Sequence, residues 1–314
     1  MFQIYEVEMF QAKDNNPLIS LIMPVYNSES FLKEALNSLL NQDFREFELL
    51  LIDDGSNDNS LQIAEQYKSM DFRIKIYRTN HQGAAVARNK GLAEALGYYI
   101  YFVDSDDLFK KNMLSELYSK AVLSNADITI CGFRKFDNAT KQSIWEFRPN
   151  GKYLVTDRIE TEKIEKELFD TVPPSPWGKL IKKTLIDSNN LSFQSLTSCN
   201  DFAFTYTALS CAKNLSFCNE ILLYYRANTG KNISADRGSR AINILFALCK
   251  LRDQLKQNGN FDKYYETYIS RGRKSIEFEL KNCNQTQKQE FYNYAKEKLP
   301  EKELKDLKVE YFCA

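Results

Sequence analysis

Short apolar runs alternate with stretches in which apolar residues recur every three or four positions. Leu18 to Val25 is a β-prone apolar run that Pro24 ends, and Tyr26-Asn27-Ser28 makes the turn after it. Ser28 is a fair N-cap for a helix over 29–41, whose Phe31, Leu32, Ala35, Leu36, Leu39 and Leu40 share one face. A second strand, 47–52, ends in Asp53-Asp54-Gly55-Ser56, and Asn57 or Asp58 can cap the helix that runs on to about Ser69. A short strand over 73–77 precedes an Ala-rich helix, 83–96, that carries Arg88 and Asn89. Tyr99-Ile-Tyr-Phe-Val then runs into Asp104-Ser-Asp-Asp107, and a helix follows over 110–124. With a further strand over 127–131, this is the repeat of a mostly parallel α/β sheet with right-handed crossovers.

Beyond Cys131 the regular alternation stops. Residues 134–158 read as a hairpin, and Pro173-Pro174-Ser175-Pro176-Trp177-Gly178 as a rigid segment entering a turn. Lys179 to Ser188 is amphipathic and helix-like; Asn200-Asp201 opens a second helix over 202–212. Leu215 to Tyr225 reads as two strands about Asn219-Glu220. From Arg240 the pattern is helical, with breaks at Gly259-Asn260 and 282–285. The chain thus divides into an extension (1–17), a regular α/β half (18–132), a mixed half (133–238) and a helical region (239–314).

The candidate chemistry begins with Asp104, Asp106 and Asp107. A core stabilises no such cluster, so it belongs at the strand's carboxyl end, the edge at which open α/β sheets bind ligands. Close carboxylates repel unless a cation offsets them, and oxygen-only donors point to Mg²⁺ or Mn²⁺. The competing reading is an acidic turn that caps the next helix. Asp54 ends another strand; it could accept from a nucleobase imide or a ribose, or shape its turn. Two parallel strands that both end in acids put both pairs on one edge. Arg88 lies in the first half of its helix, where an anion would meet unpaired N–H groups.

Composition narrows the classes. Lys+Arg and Asp+Glu number 42 each, which gives no basic field for nucleic acid. No apolar run reaches the ~20 residues of a bilayer span, and Met1 to Asn16 does not have the pattern of a secretory signal. Seven scattered cysteines without C-x-x-C favour free thiols in a reducing compartment, and the single histidine, His81, excludes multi-histidine metal sites. Neither G-x-G-x-x-G nor G-x-x-x-x-G-K-[ST] occurs, against dinucleotide oxidoreductases and P-loop enzymes.

Met-Pro-Val-Tyr-Asn (23–27), Asp-Asp-Gly-Ser (53–56), Gly-Ala-Ala-Val-Ala-Arg-Asn-Lys-Gly (83–91) and Val-Asp-Ser-Asp-Asp (103–107), in that order, resemble the family-2 inverting glycosyltransferases of GT-A fold. The likeness is dense over 18–132 and thinner through Trp177-Gly-Lys-Leu180, Asn200-Asp201 and Tyr224-Tyr-Arg226. It implies a nucleotide-sugar-binding half at 18–132, an acceptor-binding half at 133–238 and a C-terminal helical extension. Pro24, Tyr26 and Asp54 would hold the nucleobase. Arg88 would lie near the base, ribose or diphosphate, and Asp104 near the ribose or donor sugar. Asp106 would ligate Mn²⁺ or Mg²⁺, and Asp201 would be the catalytic base. Arg226 and the stretch 228–234 would cover the diphosphate. Trp177 is a candidate platform for an acceptor sugar. Asn200 departs from the family's common Glu-Asp pair, which bears on acceptor contacts or the base's pKa.

The resemblance further implies a nucleotide-sugar donor, a UDP-sugar first, and a glycan or glycolipid acceptor in bacterial lipooligosaccharide or capsule-type assembly. A cytoplasmic enzyme is expected. Arg271-Gly-Arg-Lys274 could meet anionic lipid headgroups, and the helical tail could pack on the core, dock on a membrane or mediate oligomers. The rivals are a sugar nucleotidyltransferase, which would want a Gly- and Lys-rich first loop, and a non-catalytic sugar-nucleotide or glycan-binding module.

Overall fold

A computed structural model describes residues 16–149, 158–229, 241–281 and 283–313. In chain order the elements are β1 (Ile19–Val25), α1 (Leu32–Leu40), β2 (Phe47–Asp53), α2 (Ser60–Met70), β3 (Ile74–Arg78), α3 (Ala84–Glu94), β4 (Tyr99–Phe102), β5 (Leu108–Phe109) and α4 (Met113–Ser124). There follow β6 (Ile128–Asp137), β7 (Ser143–Phe147), β8 (Ile159–Glu160), α5 (Leu168–Thr171), β9 (Lys179–Lys182), α6 (Lys183–Ser188), α7 (Phe202–Cys211) and β10 (Asn214–Ala227). The chain closes with α8 (Asn243–Gln257), α9 (Phe261–Leu280), α10 (Gln285–Lys298), α11 (Glu301–Asp306) and α12 (Val309–Cys313).

One sheet runs in the order β3-β2-β1-β4-β9-β6-β10-β5, with β7 beside β6 and β8 beside β10. β1 to β4 are parallel neighbours, so their carboxyl ends share one edge. β9 is antiparallel to both β4 and β6, which leaves β4, β6 and β10 pointing the same way. Strand side chains alternate between faces. Leu21, Leu49, Leu51, Tyr99 and Tyr101 therefore pack with α1, α2 and α4. Ile22, Leu50, Ile52, Ile100 and Phe102 face α3, α7 and the C-terminal helices. Both faces are covered, and for that reason β2 is apolar almost throughout. α3 lies close on β1: a Cβ on Gly91 would stand 2.4 Å from Ile22 Cγ2. That close approach presents Arg88 towards the carboxyl edge.

Three expectations change. Lys179 to Lys182 are not the start of a helix but β9, a short strand in the middle of the sheet; only 183–188 is helical. Residues 214–227 form one long strand instead of a pair, because Asn219-Glu220 makes a bulge against β6 and not a turn. The division at 132/133 falls inside β6, so both halves share one sheet. The expected hairpin is present as β6–β7, while its reach to 150–157, most of the 1–17 extension and 230–234 lie outside the described residues.

Candidate active site at the carboxyl edge of the sheet

The first group of side chains stands at the ends of β1 to β3. Asp54 follows β2 and is 3% exposed. Its Oδ1 accepts from Thr79 Oγ1 (2.6 Å) and the Gln82 amide (2.8 Å), and its Oδ2 from the Gly83 amide (2.7 Å). Asp54 thus shapes the 79–83 loop that leads into α3, and a carboxylate with four acceptor sites keeps capacity for one further donor. Asp53 has the turn role: its Oδ1 accepts from the Ser56 amide at 3.3 Å. Pro24 lies within β1 opposite Ile52. Tyr26, 41% exposed, stacks on His81 with ring centroids 4.2 Å apart and planes 25° from parallel. His81 adopts a left-handed backbone (φ 50°), which turns its ring back towards Tyr26. Two stacked aromatic rings at this edge offer a surface for a base.

The second group follows β4. Asp104, Asp106 and Asp107 occupy one turn, in which the Asp107 amide donates to Asp104 O at 3.3 Å. Burial, and then Asp104 beside it, push the Asp106 carboxyl up to about 6. Burial raises Asp107 further, with Asp106 and Asp104 adding to it. Asp107 Oδ1 accepts from the Arg226 amide at 2.9 Å, while its buried Oδ2 has no hydrogen-bond partner. Uncompensated carboxylate oxygens in a buried turn are a donor set suited to a hard divalent cation. Among the described residues no three such side chains already form a closed metal cage. Asp106, the expected ligand, stands in this turn, and a divalent cation placed there would meet oxygen donors alone.

The third group centres on Arg88, 7% exposed. Its Nη2 donates to Asp104 Oδ1 at 2.9 Å and its Nη1 to Asn200 Oδ1 at 3.3 Å. It thus ties the acid turn after β4 to the segment that opens α7. Asp201 is the residue before that helix, yet its side chain makes no capping hydrogen bond. The ordinary N-cap duty of an Asp at this place is not performed. Burial raises the Asp201 carboxyl, with Arg88 and then Lys179 opposing, and Asp104 adding to the rise. Lys179, 2% exposed on β9, donates to Ser175 O at 2.6 Å. Burial lowers its ammonium to about 7, against Cys131 and Asp201, which favour the charged form. Composition gave no sign of this buried lysine, and only its place in Trp177-Gly-Lys-Leu180 could have drawn attention to it.

Two expected ligand residues have other surroundings. Arg226 is 1% exposed. Its Nε donates to Asp106 O (2.7 Å), Nη1 to Asn138 Oδ1 (2.9 Å) and Nη2 to Glu34 Oε2 (2.7 Å), with Phe31 and Phe136 4.8 and 5.3 Å from its guanidinium carbon. It braces the acid turn through the Asp106 carbonyl. Trp177 is half-buried, edge-on to Phe133 at 4.6 Å and stacked on Tyr225 at 5.5 Å. One face of its indole is therefore already covered.

An α/β sheet of this strand order, with an acid turn after β4 and a carboxylate opening α7, defines a GT-A architecture. The family model of Glycosyl transferase family 2 matches residues 20–187, more than half of the 314. The chain belongs to that family. It is 32% identical over 220 residues to the putative glycosyltransferase EpsH of Bacillus subtilis, a match covering 67% of this chain and 61% of EpsH. An uncharacterized glycosyltransferase of Haemophilus influenzae is 43% identical over 201 residues, covering 57% of this chain and 78% of the relative. Among solved structures, Staphylococcus aureus TarS in complex with UDP-GlcNAc superposes with a TM-score of 0.59 at 24% identity, over 86% of this chain and 82% of that one. The fold and family follow the resemblance read in the motifs.

Proposed function

We propose that this chain transfers a sugar from a UDP-sugar to a glycan or glycolipid acceptor, with inversion and with help from Mn²⁺ or Mg²⁺, in the building of a bacterial surface glycan. The observation that carries the reading is the pairing of two acid centres across Arg88. One is the turn of Asp104, Asp106 and Asp107, where burial and neighbouring carboxylates raise Asp106 and Asp107. The other is Asp201, half-buried and with no capping bond. The complex of TarS with UDP-GlcNAc supports uridine as the base.

In this reading the stacked pair of Tyr26 and His81 flanks the base, and the remaining acceptor capacity of Asp54 meets its imide. Asp106 holds the cation, and a divalent ion there supplies Lewis-acid stabilisation of the charge that the leaving diphosphate gains. Asp104, held in place by Arg88, takes hydrogen bonds from the ribose or donor sugar. Asp201 takes the proton of the acceptor hydroxyl. A carboxylate is ordinarily a weak base, and burial that raises its pKa brings it closer to the optimum for general-base work. Attack on the face opposite the leaving group inverts the anomeric carbon, so an α-linked donor yields a β-glycoside. Arg226 acts indirectly, as a brace that fixes the backbone of Asp106.

The test is UDP release from a panel of UDP-, GDP- and CMP-sugars with mixed glycan acceptors, in Mn²⁺, in Mg²⁺ and in EDTA. Turnover with one UDP-sugar, lost in EDTA and in Asp106→Ala, is expected. Nucleotide binding without turnover for any donor would point to the binding module instead. Unaltered turnover in Asp106→Ala would remove the acid turn from the mechanism.

A further inference from the structure

Arg88 has a neighbour on α3, Asn89, to which the proposed reaction gives no role. Its Nδ2 donates to Phe193 O at 2.9 Å, and its Oδ1 accepts from the Phe193 amide at 2.8 Å. The carboxamide thus pairs with both backbone groups of one residue, as a neighbouring strand would. Arg88 Nη1 meanwhile donates to Asn200 Oδ1 at 3.3 Å. Adjacent residues of one helix therefore hold the two ends of the segment 193–200, which leads into Asp201.

Phe193 is the fixed end. Its buried ring stacks on Phe204, centroids 4.1 Å apart and planes 13° from parallel, and meets Phe102 edge-on at 5.0 Å. Phe102 and Phe204 also stand edge to face, at 5.5 Å. Phe102 ends β4, just ahead of the turn that carries Asp104, and Phe204 lies in the first turn of α7, just after Asp201. The three rings therefore join the strand that leads to the acid turn to the helix that Asp201 precedes, on one face of the sheet. Beyond Phe193, Asn243 at the start of α8 donates from Nδ2 to Thr197 Oγ1 and Ser198 Oγ, at 2.9 and 3.0 Å. Cys199 then takes a left-handed backbone (φ 57°), which a residue with a Cβ keeps where its surroundings impose it. The approach to Asp201 is thus set by anchors at 193, at 197–198 and at 200.

We propose that Asn89 is a positioning residue for the base: through the backbone of Phe193 it fixes the path of 193–201, and with it the place of Asp201 relative to the acid turn after β4. The inference rests on the reading of Asp201 as the base. A general base must lie within hydrogen-bond reach of the proton it takes, and a displacement of about 1 Å is costly to the rate. Asn89 is uncharged, so its loss shifts the base without changing the charges around it.

The full chain and its Asn89→Ala variant are compared by steady-state kinetics against pH, by UDP calorimetry and by amide hydrogen exchange. Alanine suits a helix and Asn89 is half-buried, so water can replace the lost carboxamide and the variant should fold. Its kcat should fall at least about tenfold, with UDP affinity and the donor KM as in wild type. The acid limb of its pH profile should stay where it is, while the plateau drops. Exchange should quicken across 194–201 and stay unchanged over β1 to β4. A kcat equal to wild type overturns the proposal, as does unchanged exchange across 194–201. Loss of UDP affinity in step with kcat also overturns it, since Asn89 would then serve the fold as a whole. A wild type that turns over no donor would count against the transferase reading instead, and the exchange pattern would judge the anchor by itself.

Discussion

Two buried arginines stand at this edge of the sheet, and they do opposite things. Around Arg226 every nitrogen of the guanidinium has an acceptor, two aromatic rings lie beside it, and the acceptors include a backbone carbonyl. Around Arg88 the acceptors are side chains that themselves face the cleft, Asp104 and Asn200, and its Nε is buried without a partner. The first arrangement engages every nitrogen and holds a backbone. The second leaves Nε without a partner and links the acid turn to the segment that opens α7.

The widest separation between these roles should appear with Asp201→Asn. The amide cannot take a proton, so transfer should fall about a thousandfold, while affinity for UDP is retained. Single-turnover kinetics beside calorimetry checks both halves, and wild-type turnover would remove Asp201 from the mechanism. Next in size, Arg226→Met leaves the Asp106 carbonyl and Asn138 without their donor and removes the cation beside the acid turn, and should cost about 2–4 kcal/mol of stability. Arg88→Met leaves only the cleft-facing Asp104 and Asn200 unmatched and should cost about 1–2 kcal/mol, with a marked loss of turnover. Urea melts of the two variants sharpen the contrast. If Arg88→Met proved the more destabilised of the two, the division into brace and coupler would be wrong.

The sequence made one of these regions legible and hid the other. β1, β2 and β4 announced themselves through largely apolar runs, and β2 and β4 lead into acids, because parallel strands covered on both faces have nowhere to place polar residues until they emerge. Shared direction then put Asp54 and Asp104 on one edge. The later pieces are short and lie beside neighbours distant in sequence. β9 is four residues long, and Leu180, Ile181, Leu185 and Ile186 also fit a helical face. Asn219-Glu220 has turn chemistry, yet a bulge uses the same residues. An arginine in Tyr-Tyr-Arg reads equally well as exposed or buried, since its partners Glu34, Asp106 and Asn138 come from three other segments. Lys179 was equally silent: nothing local tells that its ammonium ends buried against the Ser175 carbonyl.

That lysine gives the third prediction, which concerns pH. In the proposed function Asp201 works as a carboxylate, so activity should fall as pH drops through its raised pKa. Lys179 opposes that rise only while charged, below about 7. Lys179→Met should therefore move the acid limb of kcat/KM upward, with rates converging at high pH. Stability should move the other way. A lysine lowered from 10.5 to about 7 by burial binds fewer protons folded than unfolded between those values, so its cost grows as pH falls across that window. The melting temperature of Lys179→Met should accordingly exceed wild type by more at pH 6 than at pH 9. An unmoved acid limb would detach Lys179 from the base.

The smallest effect belongs to Asn200, where the family's common acid is replaced. Asn200 Oδ1 lies 3.3 Å from Arg88, a weak contact with a neutral acceptor, and its Nδ2 donates to Leu196 O at 3.2 Å. Because Asn200 carries no charge, the cation of Arg88 acts on Asp104 and Asp201 without a competitor. Asn200→Glu would introduce a carboxylate that draws on the same guanidinium and repels Asp201. Both changes favour protonated Asp201, so the acid limb should rise by about 0.5 unit, with little change in the plateau at high pH. Combined with Lys179→Met the shift should exceed either alone, since the two act on Asp201 from different elements, β9 and the segment before α7. A limb that moved downward in Asn200→Glu would mean that the new acid recruits a further cation to the site, and Arg271 on α9, whose Nε is buried without a partner, is the group to examine.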